Sequence, residues 1–171
     1  MLKLAYRTAG EVDMAIKSGA SSRVSWLGKQ AISIQAFLLK QGWMGPAGQY
    51  LMAITTTGRS SGKEFTVPVG YQQDEQAIIA MNPTGNSNWI KNVSFNGQAT
   101  LHIQGQSIPV RGELVLDPVE KRRIFNIYKQ KPETFPRFFG VTVDASEGEL
   151  NAALDKAHFV LFHRLDPFNE R

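Results

Sequence analysis

The sequence predicts a mainly β protein with some α, a small antiparallel barrel of six strands with flanking helices, on three observations. The apolar period switches to two at Leu51. Six strand-like segments follow, mostly joined as hairpins, with too few helices between them to cover a doubly wound parallel sheet. A chain of 171 residues, 42% of them hydrophobic, buries one good core.

Ahead of the barrel, residues 1–44 read as an N-terminal helical segment, and residues 45–171 as the barrel, within one domain overall. Between Ser25 and Gly42, the residues Leu27, Ile34, Phe37 and Leu38 form an apolar stripe, and Gly42 supplies a stop. Residues 1–20 carry a weaker pattern that fits a helix, an arm or a frayed end. Trp26, Phe37 and Trp43 read as packing residues, but the mixture of basic and aromatic groups leaves weak peripheral membrane contact open. Arg7, Glu11, Asp13 and Lys17 break up the apolar core a signal peptide needs, and no stretch approaches the roughly 20 apolar residues of a membrane span. The expected location is the cytoplasm.

The first strand is LMAITTT. In EFTVPVGY, Phe65, Val67, Val69 and Tyr71 share one face, and Pro68 places that stretch at a sheet edge or a bulge because it has no N–H to give. Gln73-Asp74-Glu75 turns the chain into a third strand, QAIIAMN. After the loop Asn82-Pro83-Thr84-Gly85-Asn86, Ser87 or Asn88 caps a short helix through WIKNVSFN that stops at Gly97. ATLHIQ and SIPVRGELVL are the next two strands. Asp117-Pro118-Val119-Glu120 opens a helix reaching about Gln130, with Val119, the stem of Arg123, Ile127, Ile124 and Tyr128 along one side. Phe135-Pro136-Arg137-Phe138-Phe139 reads as an aromatic, basic connector. Ser146 and Glu149 form a capping box ahead of Leu150, Ala153, Leu154 and Ala157, and HFVLFHRL closes the chain as a strand.

Composition excludes more than it names. With no cysteine, the chain has neither disulfides nor thiolate chemistry. His102 alternates onto the polar face of its strand, and His158 and His163 sit in the last strand. No metal-ligand spacing and no nucleophile elbow appears, so no metal is expected. The net charge of +4 is weak evidence for any polyanion, and without strand-borne aromatics among the basic residues no nucleic-acid partner is expected.

The loop Gly58-Arg59-Ser60-Ser61-Gly62-Lys63 carries the most chemistry. It resembles a P-loop but has three residues between its glycines instead of four, Glu64 in place of the magnesium-binding hydroxyl, and a strand after it instead of a helix. What remains is an anion-binding logic: close backbone approach, N–H groups and hydroxyls as donors, and charge from Arg59 and Lys63. A solvated hairpin tip is the bland alternative. The second feature is NPTGNSNWIKN, where a helix start offers free N–H groups and Trp89 either stacks on a planar ligand or fills the barrel mouth.

Together, LMAITTTGRSSGKEFTVPV and SNWIKNVSFNGQATLHI resemble the deazaflavin-dependent nitroreductase family, over roughly residues 45–115. The resemblance implies a split β-barrel of the FMN-binding type that holds the deazaflavin coenzyme F-420, with FMN as the alternative. It implies that Thr57, Gly58, Arg59, Ser61, Gly62 and Lys63 bind the cofactor's phosphate-bearing tail. Pro68 falls on the family's strand proline, and Asn82, Ser87, Asn88, Trp89 and Asn92 line the other side. No residue carries the signature of a catalytic acid, so the catalytic residue stays unknown; some members place tyrosines beside the substrate, and Tyr128, the one tyrosine in that region, is the candidate. The implied activity is hydride transfer to a quinone, a nitro compound or a similar acceptor, and a homodimer through an exposed sheet is compatible with it. The alternative is a barrel that sequesters a flavin, tetrapyrrole or lipid-like molecule without turnover.

Overall fold

The computed structural model describes residues 35–42, 45–74 and 77–165. Most of the expected N-terminal segment, including Trp26, Leu27, Ile34 and Trp43, lies outside the described residues. Residues 35–40 are helical and end at Gly42, whose φ of +73° a side chain would strain. Ala36 and Leu39 are the buried positions here, Leu39 packing on Leu51 and Ala53, whereas Phe37 is 54% exposed. The stripe that included Phe37 is corrected accordingly: the buried row lies on the neighbouring side.

Six strands close into an antiparallel barrel in the order β1-β2-β3-β6-β5-β4. They are β1 (Leu51–Thr57), β2 (Glu64–Gln73), β3 (Ile78–Asn82), β4 (Gln98–Ile103), β5 (Gln106–Leu114) and β6 (His158–Arg164). β4 and β5 meet at Gln104-Gly105, both with positive φ (49° and 82°), as a two-residue hairpin turn requires. β2 pairs with β1 along Glu64–Gly70 but with β3 only over Tyr71–Gln73, so among the described residues no strand pairs with the second side of its first seven residues. Tyr71 N–H donates to Tyr50 C=O (2.9 Å). Odd-numbered residues of β2 therefore bond towards β1 and even-numbered ones face the other way. Pro68, opposite Ala53, has its donorless nitrogen on that open side, which agrees with the edge expected from the sequence.

The barrel interior is filled by Met52, Ile54, Val69, Tyr71, Ile78, Ala80, Leu101, Val110, Val160 and Phe162. Helix α1 (Asn88–Asn96) adds Trp89, Ile90 and Val93 to that core. Val93 packs so near β5 that a Cβ at Gly112 would lie 2.4 Å from it, so only glycine fits there. A second core lies outside the barrel wall. Ile79, Met81 and Phe159 pack there against α2 (Pro118–Lys129), α3 (Phe135–Phe139) and α4 (Glu147–Lys156). Its aromatics meet edge to face, as in Phe125–Phe135 (5.3 Å) and Tyr128–Phe138 (5.2 Å).

Helix starts were legible. Asp117 accepts from the N–H groups of Val119 and Glu120, and Ser146 with Glu149 forms the complete capping box. Three details differ. On α2 the buried residues are Ile124, Phe125 and Tyr128, while Val119 is 77% exposed. The connector at Phe135 is a short helix, because Pro136 sits in the first turn, where a helix needs no N–H. His102 points away from the interior as expected but is buried, between Thr55 (Nε2 to Oγ1, 2.8 Å) and Ser107 (Nδ1 to Oγ, 2.9 Å).

Candidate functional site

The β1–β2 loop is drawn tight by its own backbone: Gly58 N–H donates to Lys63 C=O and Gly62 N–H to Gly58 C=O, both at 2.8 Å. Gly62 has φ +65°, and a Cβ at Gly58 would lie 2.7 Å from Ser61 Oγ and 2.8 Å from the Phe65 ring. Gly62 is therefore demanded by its backbone conformation, and at Gly58 a side chain would have to displace Ser61 and Phe65. Two asparagines one turn apart on α1 hold the loop against the helix. Asn92 Oδ1 accepts from Arg59 N–H (3.3 Å) and Arg59 Nη1 (3.2 Å), its Nδ2 donates to Thr56 Oγ1 (3.1 Å), and Asn96 Nδ2 donates to Thr57 C=O (2.6 Å).

Between loop and helix lies an open cavity of about 260 Å³. Its polar wall is Thr56, Gly58, Arg59, Ser60 and Ser61, with Asn88 and Asn92 from the helix. Its apolar wall is Phe65 and Val67 from β2 and Trp89 from α1. Phe65 is half exposed at the rim, and Trp89 is buried, its ring 6.5 Å from Phe162 within the barrel. Arg59 is the one charged residue among those lining groups, and no carboxylate among the described residues pairs with it. The lining combines donors for an anionic group with apolar surface for a flat one.

Of the residues singled out in the sequence, Gly58, Arg59, Ser61, Asn88, Trp89 and Asn92 come together here. Others do not line the cavity. Thr57 is exposed on the opposite side of β1 from Thr56, and Lys63 is exposed, with its N–H bonded to Ser61 Oγ (3.3 Å). Gly62 shapes the turn, and Pro68 stands further along β2. Asn82 Oδ1 is taken by Thr84 N–H (3.0 Å) and Thr84 Oγ1 (3.1 Å). Ser87 is the N-cap of α1 by position, but its side chain caps nothing, and its Oγ is buried with no hydrogen-bond partner.

Tyr128 is not at the site. It is 1% exposed in the outer core, its hydroxyl donates to Ile79 C=O (3.3 Å), and burial raises its pKa far above the ordinary tyrosine range. A phenol so placed neither reaches a ligand in the cavity nor gives up its proton, so the catalytic assignment is corrected. Sequence reasoning missed Thr56, Ser60, Phe65 and Val67. Strand alternation carried the signal for three of them, since Thr56 follows Met52 and Ile54 inward and Phe65 shares a face with Val67.

An antiparallel barrel whose loop and end helix frame a cation and an aromatic mouth has the build of a split-barrel, cofactor-binding protein. The chain belongs to the family described as F420H(2)-dependent quinone reductase, whose pattern matches residues 38–137 and so spans both cavity walls. The resemblance to deazaflavin-dependent reductases read from the motifs is thereby supported. No curated protein matches the sequence. Among solved structures, one titled F420-H2 dependent reductase (FDR-A) is similar at 16% identity, covering 66% of this chain and 94% of its own, with TM-score 0.47. A FAD-binding protein from Mesorhizobium loti is similar at 11% identity, covering 78% and 90%, with TM-score 0.48.

The cavity suits the family's cofactor. A deazaflavin joins a planar ring to a phosphate-bearing tail, and the cavity lining holds a guanidinium that no described carboxylate pairs with and two serine hydroxyls together with aromatic side chains. No group of three His, Asp or Glu among the described residues is placed to hold a metal ion, and none of their helices is long and apolar enough to cross a membrane.

Proposed function

We propose that the protein reduces a quinone, or a comparably activated nitro compound, with reduced coenzyme F-420 bound in this cavity. The observation that carries the reading is the pairing of an uncompensated Arg59 with the Trp89–Phe65 wall in one groove of a chain from this reductase family. The bound cofactor supplies the hydride.

The chain's own residues bind, orient and dry the site. Arg59, Ser60 and Ser61 hold the phosphate of the tail by charge-assisted hydrogen bonds. Trp89, Phe65 and Val67 fix the ring plane against the barrel mouth and keep water from it. None of the residues lining the cavity is a carboxylic acid, histidine, lysine or tyrosine. Among the described lining residues, then, no side chain is placed as a proton donor to the acceptor.

The test is an anaerobic assay of the purified chain with reduced F-420 and menadione, following the return of the oxidised deazaflavin absorbance, with reduced FMN in parallel. Turnover with F-420 alone is expected. Arg59→Ala should weaken F-420 binding roughly 10- to 100-fold, since a charge-assisted hydrogen bond contributes about 1.5–3 kcal/mol. A bound pigment with no turnover would overturn the enzymatic reading in favour of a carrier, and turnover with FMN alone would overturn the choice of cofactor.

A further inference from the structure

Arg59 and Arg123 are held in opposite ways. Arg123 bonds to two carboxylates, Glu120 at 2.6 Å and Asp74 at 3.1 Å. The pairing raises the Arg123 pKa and lowers that of Glu120 through their hydrogen bond, and it cancels most of the field the guanidinium would present. Arg59 bonds instead to the carboxamide of Asn92, which is 3% exposed. The carboxamide's orientation follows from its three partners: its oxygen accepts from Arg59 twice and its nitrogen donates to Thr56.

A carboxylate at that position would hold the arginine more strongly, because charge-assisted bonds are about twice as strong as neutral ones. Against that gain stand the cost of burying the carboxylate and the loss of the Nδ2–H donated to Thr56. A neutral acceptor fixes the direction of the guanidinium and leaves its whole positive charge for something else.

We propose that Asn92 is a positioning residue that orients Arg59 towards an anionic ligand without neutralising it. This rests on the reading of the cavity as an anion site, and it makes the missing negative charge at residue 92 a determinant of affinity.

The two roles of Asn92 predict opposite orders of effect. Calorimetric titration with inorganic pyrophosphate, at low and high salt, compares wild type, Asn92→Asp and Asn92→Ala. If Asn92 keeps Arg59 uncompensated, Asn92→Asp weakens binding at least tenfold, more than Asn92→Ala does. It also removes much of the salt dependence. Its melting temperature should equal or exceed that of Asn92→Ala. A merely structural role gives the reverse order, since Asp retains both Arg59 bonds and Ala loses them.

Pyrophosphate binding by Asn92→Asp within twofold of wild type overturns the proposal, as does failure of the wild type to bind pyrophosphate. Should Asn92→Asp not fold, a double-mutant cycle replaces it: with Arg59→Gln in place, Asn92→Ala should cost nothing further, and additive losses overturn the proposal. Absence of F-420 turnover in a protein that passes these tests removes the proposed reaction and leaves the role of Asn92 standing.

Discussion

His102 shows what one residue can impose on the whole. Burial lowers its pKa first, the Lys40 ammonium adds to the effect, and Glu64 opposes it. The unfolded chain takes up this proton as the pH falls through about 6.5, while the folded protein resists until lower pH. Stability from neutral His102 is therefore complete above about pH 6.5 and is lost as the pH falls from there through the folded pKa. Thermal melts between pH 7.5 and 5 should show this decline, flattened in His102→Gln; an equal slope in both would assign the decline to other groups. At Tyr128 the expectation is chemical silence. Tyr128→Phe loses one buried hydrogen bond, about 1 kcal/mol, and should leave turnover unchanged; a tenfold drop with an intact fold would restore a catalytic role. The sequence pointed to the loop and helix that line the cavity, but to Thr57 where the structure puts Thr56 on that wall. The motif marks a segment, whereas strand alternation alone decides which side chain turns inward.

At the scale of elements, the three longer helices start in unequal ways. Ser146 makes a complete capping box, so Ser146→Ala should cost about 1 kcal/mol in urea unfolding. Ser87 stands at the same position on α1 but its buried hydroxyl bonds to nothing. Ser87→Ala should therefore be neutral or slightly stabilising, and a loss matching that of Ser146→Ala would show that Ser87 does cap its helix in solution. The caps at Asp117 and Ser146 were legible because they are local chemistry, whereas Ser87 fills the position without the bond. The faces were less so: on α2 the stripe through Val119 and the row through Phe125 are adjacent, and Asp74, from the far end of β2, holds Arg123 at the surface. That choice depends on tertiary contacts, which no window of sequence contains. The stretch Phe135–Phe139, expected as a connector, is a short helix that tolerates Pro136 because it stands in the first turn.

Over the whole molecule, the barrel wall separates two cores, and its strands carry both. In β3, Ile78 and Ala80 face the interior while Ile79 and Met81 face the outer helices, so the segment reads as a continuous apolar run. The hairpin order was visible in the sequence, and the second core was visible only as unexplained aromatics from Phe125 to Phe139. The open side of β2 has a further consequence. A bare run of seven residues beside a closed barrel offers another copy of the chain a place to add a strand. Its outward donors are those of residues 64, 66 and 70, and Pro68 breaks the row in the middle. Pro68→Val would complete it, and sedimentation velocity should then show association growing with concentration where the wild type shows less; identical profiles would mean the proline guards nothing. With the association expected of Pro68→Val, a residue that looks like an interruption of a strand would be its defence against edge-to-edge pairing.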